Sequence, residues 1–292
     1  MTVLRLILGN ARLAVFAFSL VRLVFRQKGD GMTAEDVLSD ALYTLYDYQP
    51  ITHASAGQRY TYTYPSKERP VSITLTTPDT DAANWELHAS SIWTSAVYLA
   101  DHIEEIDIPP KASVLELGAG AGLPSIVLAA LHPHASVTIS DYPDQQVLAT
   151  LQQNIESNHV ASHCRAVGYA WGTDPAPVLR YTPDGYDVVL AADTLWNPTL
   201  RGSFIASIEA TLRRADHARA CLVAGLHTGR YTLQAFLDAV ENSSKLTVDS
   251  LVEREARGSE RRAWDVTRAD SDDDKERRRW VLWIVLKWKP GS

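Results

Sequence analysis

Three glycines at alternate positions stand between two apolar segments, and the second segment ends in an acid. Gly118, Gly120 and Gly122 follow a segment that predicts a short buried strand, and the next predicted strand ends at Asp141. Glycine lets the backbone take positive φ and lets a ligand approach the main chain. Free N–H groups at a helix start favour a carboxylate or a phosphate. A carboxylate after the second strand is able to accept both hydroxyls of a ribose. This order predicts a nucleotide-binding α/β unit.

The spacing of the glycines indicates which nucleotide is bound. A dinucleotide fingerprint requires a glycine at position 123, where this chain has Leu123. Glu116 lies two residues before the first glycine, where it would repel a pyrophosphate but suit the ammonium of a methionine moiety. S-adenosylmethionine carries an ammonium, a carboxylate and a ribose and no phosphate. We therefore predict this cofactor and no metal; the alternative is a glycine turn that serves packing only.

The elements that position these residues alternate along the chain. Five strand patterns alternate with helical patterns and two more strands close the chain: Val114–Leu117, Val137–Asp141, His163–Tyr169, Tyr186–Ala191, Arg219–Ala224, Leu246–Val252 and Val281–Trp288. This order predicts a Rossmann-like α/β fold with a doubly wound, mostly parallel seven-stranded sheet. No helical pattern separates the last two strands, so we expect them to pair antiparallel, with an antiparallel last strand in the sheet.

Further residues fall near the carboxyl ends of these strands, where ligands bind in such sheets. Trp171 follows the third strand, and its ring either stacks on an adenine or packs at the rim. Ala192 and Asp193 end the fourth strand; the small residue lets a ligand lie against the backbone, and the acid either orients an amine or caps a helix. Trp93, on the helix before the glycine strand, is either a core residue or a wall against the cofactor.

Composition limits the class of protein. The 292 residues carry a net charge of −7, which disfavours a nucleic-acid binder that neutralises many phosphates. The only cysteines, Cys164 and Cys221, provide neither a disulfide framework nor a zinc cluster, which fits a reducing compartment. We expect a cytoplasmic monomer.

The chain divides into three predicted parts. Residues 1–31 hold five basic residues and one acid, a balance of +4 that leaves −11 for the rest. They indicate a mitochondrial presequence, a membrane-surface helix or translated sequence upstream of the native start at Met32. Membrane contact is expected only if this part is native, and a mitochondrial location only if it is a presequence. Residues 32–84 predict a hairpin and cover segment, and residues 85–292 predict the cofactor-binding domain. Within that domain, the charge blocks of residues 268–279 predict a solvated, mobile loop.

Together these motifs resemble the fungal elongation-factor methyltransferases, a group also described as nicotinamide N-methyltransferase-like and belonging to the seven-stranded lysine methyltransferases. The matching motifs are His88-x-x-x-Ile92-Trp93, Val114-Leu-Glu-Leu-Gly-Ala-Gly-x-Gly-Leu-Pro-Ser125, Ser140-Asp-Tyr-Pro-Asp144, Trp171-Gly172 and Ala192-Asp-x-x-Trp196-Asn197. The resemblance covers roughly residues 85–288. Thr94, where the family pattern suggests a small amide, and the run His227-Thr-Gly-Arg230 depart from it.

The resemblance implies the methyltransferase fold and an S-adenosylmethionine-dependent enzyme that methylates a lysine or an N-terminal amine of a protein. The expected acceptor protein is a translation elongation factor. The resemblance also implies that Asp193 and Trp196 lie beside the acceptor amine and that cofactor contacts come from Trp93, Gly118, Ala119, Gly120, Asp141, Trp171 and Ala192. A small-molecule N-methyltransferase of the nicotinamide type and an inactive cofactor-binding interaction protein are the alternatives.

Overall fold

The computed structural model describes residues 50–66, 68–79 and 88–291. The strands are β1 (Arg59–Thr63), β2 (Ser72–Thr76), β3 (Ser113–Leu117), β4 (Ser136–Asp141), β5 (Cys164–Gly168), β6 (Val188–Ala192), β7 (Arg219–Gly225), β8 (Leu246–Glu255), β9 (Arg261–Ala263) and β10 (Trp280–Trp288). The α-helices are α1 (Thr94–Asp101), α2 (Leu123–Leu131), α3 (Gln145–Ser157), α4 (Ala176–Leu179), α5 (Arg201–Thr211), α6 (Arg230–Ser243) and α7 (Asp274–Arg279). Short 3₁₀ turns span Ile103–Glu105, Pro198–Leu200, Leu226–Thr228 and Val266–Asp270.

One mixed sheet organises the described chain, with the strand order β5-β4-β3-β6-β7-β10-β8-β9. The first five strands in that order run parallel, whereas β10 pairs antiparallel with both β7 and β8. The order reverses between β3 and β6, because β4 and β5 extend the sheet on one side and β6 and β7 on the other. Ligands of open α/β sheets bind at such a reversal, which here lies beyond the ends of β3 and β6.

Helices cover both faces of the sheet, because its central strands bury side chains in two directions. Along β3, Val114 packs into one hydrophobic core, and Leu115 and Leu117 pack into the other. All three side chains are fully buried. This confirms the predicted doubly wound α/β architecture and the antiparallel pairing of the last two long strands. None of the helices in the described ranges is long and apolar enough to cross a membrane.

The N-terminal hairpin forms a separate two-stranded sheet, with β1 antiparallel to β2. It lies within the predicted hairpin and cover segment, where Thr61–Tyr64 and Val71–Thr76 alternate between polar and apolar or aromatic residues. One face of the hairpin joins the first core, where Ile73 and Leu75 are buried. The predicted divisions at residues 31/32 and 84/85 lie outside the described residues.

Two features of the C-terminal part differ from the sequence-based expectation. Strand β9, an eighth strand at the sheet edge, was not predicted, because its three residues carry no apolar alternation. The charged segment 268–279 was wrongly predicted to be a mobile loop: it forms a 3₁₀ turn and helix α7. Two of its arginines are held by acids on β8, with Arg268 donating to Oε1 of Glu253 at 3.0 Å and Arg279 to Oε1 of Glu255 at 2.9 Å.

Candidate active site

A cavity of about 500 Å³ opens beyond the carboxyl ends of the parallel strands, at the reversal of strand order. All eleven residues predicted from the sequence as site residues line it: Trp93, Glu116, Gly118, Ala119, Gly120, Gly122, Asp141, Trp171, Ala192, Asp193 and Trp196. Their common position is a structural observation, while the roles assigned to them stay predictions.

The glycine loop joins β3 to α2, and its three glycines take the positive φ values that the pattern predicts. These are +70° at Gly118, +55° at Gly120 and +82° at Gly122. Four amides of the loop are already paired within the protein. Gly118 and Ala119 both donate to the Ser140 carbonyl, Gly120 donates to Asp141, and Gly122 donates to Ala119. The loop therefore offers a ligand close approach to its backbone rather than a ring of unpaired donors.

Glu116 occupies the position where an anionic ligand would meet the start of α2. Its side chain is fully buried, and Oε2 accepts the Ser125 N–H in the first turn of the helix at 3.2 Å. Burial raises the pKa of this carboxyl from 4.5 to about 8. A phosphate would compete with this carboxyl for the helix N-terminus, whereas a cation in the cavity would restore its charge.

Stability should therefore depend on the proton that Glu116 carries. In the ligand-free protein this proton is retained to about pH 8, while the unfolded chain releases it near pH 4.5. The folded state then binds more protons between these values, so this group makes the free energy of unfolding fall as the pH rises, by up to about 1.4 kcal/mol per pH unit.

We expect Glu116→Gln to remove this contribution and to flatten the fall. Thermal melts of both proteins from pH 4.5 to pH 8 measure it as a difference between the two curves, so the titration of other groups cancels. Parallel curves over the whole range would show that Glu116 does not titrate in this way.

Asp141 ends β4 and fixes the glycine loop from the neighbouring strand. Its Oδ2 accepts the Gly120 N–H and its Oδ1 accepts the Tyr142 N–H, both at 2.7 Å. Burial raises the pKa of Asp141 to about 6. Each oxygen of an ionised carboxylate has two acceptor sites, so both retain one for a hydroxyl group of a ligand.

The Trp171 ring lies against the backbone of Gly118 and contacts Phe204 at a centroid distance of 4.7 Å. It is half-buried and lines the cavity, so it packs at the rim and still faces the space where a ligand would lie. A Cβ atom on residue 118 would come within 2.8 Å of the ring carbon Cζ2 and within 3.0 Å of a Thr194 methyl group.

We expect Gly118→Ala to lower the free energy of unfolding by roughly 1–3 kcal/mol, because it combines positive φ with this overlap. Gly202→Ala is the matched control: nothing lies within 4 Å of the added methyl group on this exposed helical residue. It should be neutral or stabilising by at most about 1 kcal/mol. Urea unfolding of both variants provides the comparison, and equal stability of the two would contradict the assigned packing.

Asp193 follows β6 with a φ of +54° and is almost fully buried. Its Oδ1 accepts the Gly225 N–H at 2.9 Å, while its Oδ2 has no hydrogen-bond partner. The alternative role as a helix cap does not hold, because Asn197 caps the next turn through the Thr199 N–H. A buried carboxylate oxygen without a donor is costly, so this atom is suited to a donor that a ligand supplies.

Two tryptophan–histidine pairs stand around this acid. The His88 ring contacts the Trp196 ring edge-on, with 4.6 Å between the ring centroids. The His227 ring stacks on the Trp93 ring, with 5.6 Å between the centroids. The His227 Nε2 atom lies 3.7 Å from Oδ1 of Asp193. Trp93 is thus a wall of the cavity rather than a core residue. Neither histidine was predicted to have a role in the site. His88 begins one of the motifs that match the family, and His227 begins a run that differs from the family pattern.

Thr94 and Arg230, which belong to the stretches that differ from the family pattern, do not line the cavity. Thr94 begins α1, and its hydroxyl lies 3.1 Å from Nε2 of His53. Arg230 begins α6 and is buried in ion pairs with Glu253 and Asp272. Both positions are structural in this chain. Among the described residues, no three histidine, cysteine or acidic side chains converge as a metal site.

Comparisons with known proteins place the chain in a family. Residues 80–243, more than half of the chain, match the family model described as lysine methyltransferase. The protein N-terminal and lysine N-methyltransferase EFM7 of Gibberella zeae is 31% identical over 183 residues, which are 57% of this chain and 65% of that protein. The Schizosaccharomyces pombe protein of the same name is 35% identical over 138 residues, which are 45% of this chain and 54% of that protein.

The matched region thus spans between about half and two thirds of these curated relatives. Among solved structures, a precorrin-6y C5,15-methyltransferase from Geobacter metallireducens has a TM-score of 0.41 and 16% identity, over 67% of this chain and 86% of that one. On the match of its residues 80–243, the chain belongs to the lysine methyltransferase family.

Proposed function

We propose that this protein is a S-adenosylmethionine-dependent N-methyltransferase that acts on a lysine or an N-terminal amine of a protein. One observation carries the proposal: the described residues that line the cavity include three acids, Glu116, Asp141 and Asp193, and neither lysine nor arginine. Such a cavity favours cationic groups. Both the sulfonium cofactor and a protein amine are cationic at neutral pH.

The residues present fit this cofactor. Asp141 retains acceptor sites for ribose hydroxyls, and Glu116 provides a buried carboxyl for an ammonium group. Gly118 and Gly120 line the cavity without side chains that would fill it, and Trp171 offers a ring face for an adenine. When bound, S-adenosylmethionine supplies an electrophilic methyl group, so no covalent enzyme intermediate and no metal are required.

Asp193 and its aromatic neighbours are proposed to hold the acceptor. The Oδ2 atom would accept an N–H of the amine and thereby direct the nitrogen lone pair into the cavity. Lysine has an ordinary pKa of about 10.4, so the amine must lose a proton before it reacts. Trp196 and Trp93 provide ring faces that suit a methylated, cationic product.

The identity of the acceptor is proposed from the relatives. Those reported above are named as protein N-terminal and lysine methyltransferases. The resemblance to the fungal elongation-factor methyltransferases implies a translation elongation factor as the acceptor protein. We further propose a monomer that works in the cytoplasm and binds no nucleic acid; a mitochondrial location is the alternative if residues 1–31 are a presequence, and membrane contact depends on the same residues.

Incubation with methyl-labelled S-adenosylmethionine and a cell lysate, followed by separation according to size, tests the proposal. We expect label in a protein band, at lysine or at an N-terminal amine. Label only in the small-molecule fraction would favour the nicotinamide-type alternative, and no transfer above a blank without enzyme would favour a cofactor-binding interaction protein.

A further inference from the structure

Two asparagines on helix α3 cover the edge of the N-terminal hairpin. Asn154 accepts the Thr76 N–H at 2.8 Å and donates to the Thr76 carbonyl at 2.9 Å. Asn158 bonds in the same way to Thr74, at 3.0 Å and 2.9 Å. The edge of β2 that faces away from β1 therefore pairs with side chains rather than with another strand.

This arrangement follows from chemistry and from matched periods. A side-chain amide has the donor and acceptor of a peptide group, so it can pair with one residue of a strand edge as a neighbouring strand would. Two residues along a strand advance by roughly 6.6 Å and one turn of a helix by about 5.4 Å, so amides spaced i, i+4 reach alternate residues of the strand.

Asn154 makes one further contact that Asn158 does not make. Its amide also donates to the Ala121 carbonyl at 3.0 Å. Ala121 lies between Gly120 and Gly122, lines the cavity and is buried. The side-chain NH₂ group of Asn158 instead donates its second hydrogen bond to the Asn154 carbonyl within the same helix, at 2.7 Å.

The contact bears on how the glycine loop keeps its shape. Glycine has a wide range of backbone conformations, so a loop with three glycines depends on hydrogen bonds to remain in one of them. The Ser140 carbonyl and Asp141 fix its first half, at Gly118 to Gly120. The peptide group between Ala121 and Gly122 follows: its N–H donates to the Ala119 carbonyl within the loop, and Asn154 provides a donor from outside the loop to its carbonyl.

We propose that Asn154 is a positioning residue of the cofactor site, and that through it the N-terminal hairpin and the glycine loop are held by a single amide. The effect on cofactor affinity rests on the proposed function, whereas the effect on the loop does not. The hairpin has other anchors: Tyr62 donates to Asp101 at 2.6 Å, and Leu75 is fully buried. Removal of either asparagine should therefore loosen the hairpin edge without releasing the hairpin.

The matched pair Asn154→Ala and Asn158→Ala tests this inference in the full-length protein. Hydrogen–deuterium exchange of the ligand-free proteins should show faster exchange in peptides that cover β2 for both variants. Peptides that cover residues 117–125 should exchange faster in Asn154→Ala alone. If this variant does not fold, Asn154→Ser, which removes fewer polar atoms from the buried position, takes its place.

Titration with S-adenosylhomocysteine gives the second readout. We expect affinity to fall roughly fivefold or more in Asn154→Ala, which leaves the Ala121 carbonyl without a donor, and to stay near the wild-type value in Asn158→Ala. Unchanged exchange of residues 117–125 in Asn154→Ala, or an equal increase in both variants, would overturn the inference. Absence of binding by the wild type would instead count against the proposed function, and the exchange result would still decide the role of Asn154.

Discussion

Replacement of Asp193 by asparagine should reduce kcat for methyl transfer at least about tenfold, which corresponds to about 1.4 kcal/mol of transition-state stabilisation. The change is nearly isosteric, and asparagine tolerates the left-handed backbone that φ of +54° requires. The amide oxygen can still accept the Gly225 N–H. Its NH₂ group then takes the position of the unpartnered Oδ2, so an acceptor amine that approaches this atom meets a donor instead of an acceptor.

Three measurements on Asp193→Asn distinguish this role from a general structural one. Affinity for S-adenosylhomocysteine and the melting temperature should stay close to wild type while kcat falls. Asp174→Asn is the control, because it makes the same charge change at an exposed acid that accepts the Ala176 N–H outside the cavity lining. Wild-type kcat in Asp193→Asn would show that the acid does not serve the acceptor.

Replacement of Asp141 by alanine should weaken S-adenosylhomocysteine binding by at least about thirtyfold, or about 2 kcal/mol. Two losses combine in this variant. The ligand would lose the acceptor for its ribose hydroxyls, and the N–H groups of Gly120 and Tyr142 would lose the carboxylate that now fixes the loop.

Asp144→Ala is the control variant, because it should lower stability without weakening ligand binding. Asp144 caps helix α3 by accepting the N–H groups of Gln146 and Val147 at 2.9 Å and 3.0 Å. Its removal should cost roughly 1 kcal/mol of stability and leave affinity nearly unchanged. Calorimetric titration of both variants gives the comparison. If Asp141→Ala binds as tightly as Asp144→Ala, the ribose assignment is wrong.

The sequence was most informative where a residue's role depends on its own chain neighbours. The glycine spacing predicted three positive φ values, and the acid after the second strand lies where it was expected. The parallel direction of the first five strands of the mixed sheet followed from alternation of strand and helix, because parallel strands require crossover helices. Positions in the cavity followed from the rule that ligands meet the carboxyl ends of such strands.

It was least informative where a partner comes from a distant part of the chain. The local sequence does not show that the amides of Gly118 and Ala119 are paired, because the Ser140 carbonyl that accepts both belongs to another strand. The charged segment 268–279 was expected to be solvated because its acidic partners, Glu253 and Glu255, lie on β8. A charge pattern gives the number of ions but not their pairing.

The acceptor side of the site shows the same limit. Nothing in the local sequence indicates that one oxygen of Asp193 accepts the Gly225 N–H while the other is buried without a hydrogen-bond partner. Likewise, the pairing of His88 with Trp196 and of His227 with Trp93 joins residues more than a hundred positions apart. Contacts between residues so far apart in the chain were identified only from the folded structure.

A crystal structure of the protein with S-adenosylhomocysteine tests most directly whether this one cavity joins a cofactor to an acceptor amine. We expect the ribose hydroxyls on Asp141, the amino group of the ligand toward Glu116, the adenine beside Trp171 and the sulfur facing Asp193 and Trp196. A ligand bound outside this cavity, or one whose sulfur is closed off from Asp193, would contradict this expectation.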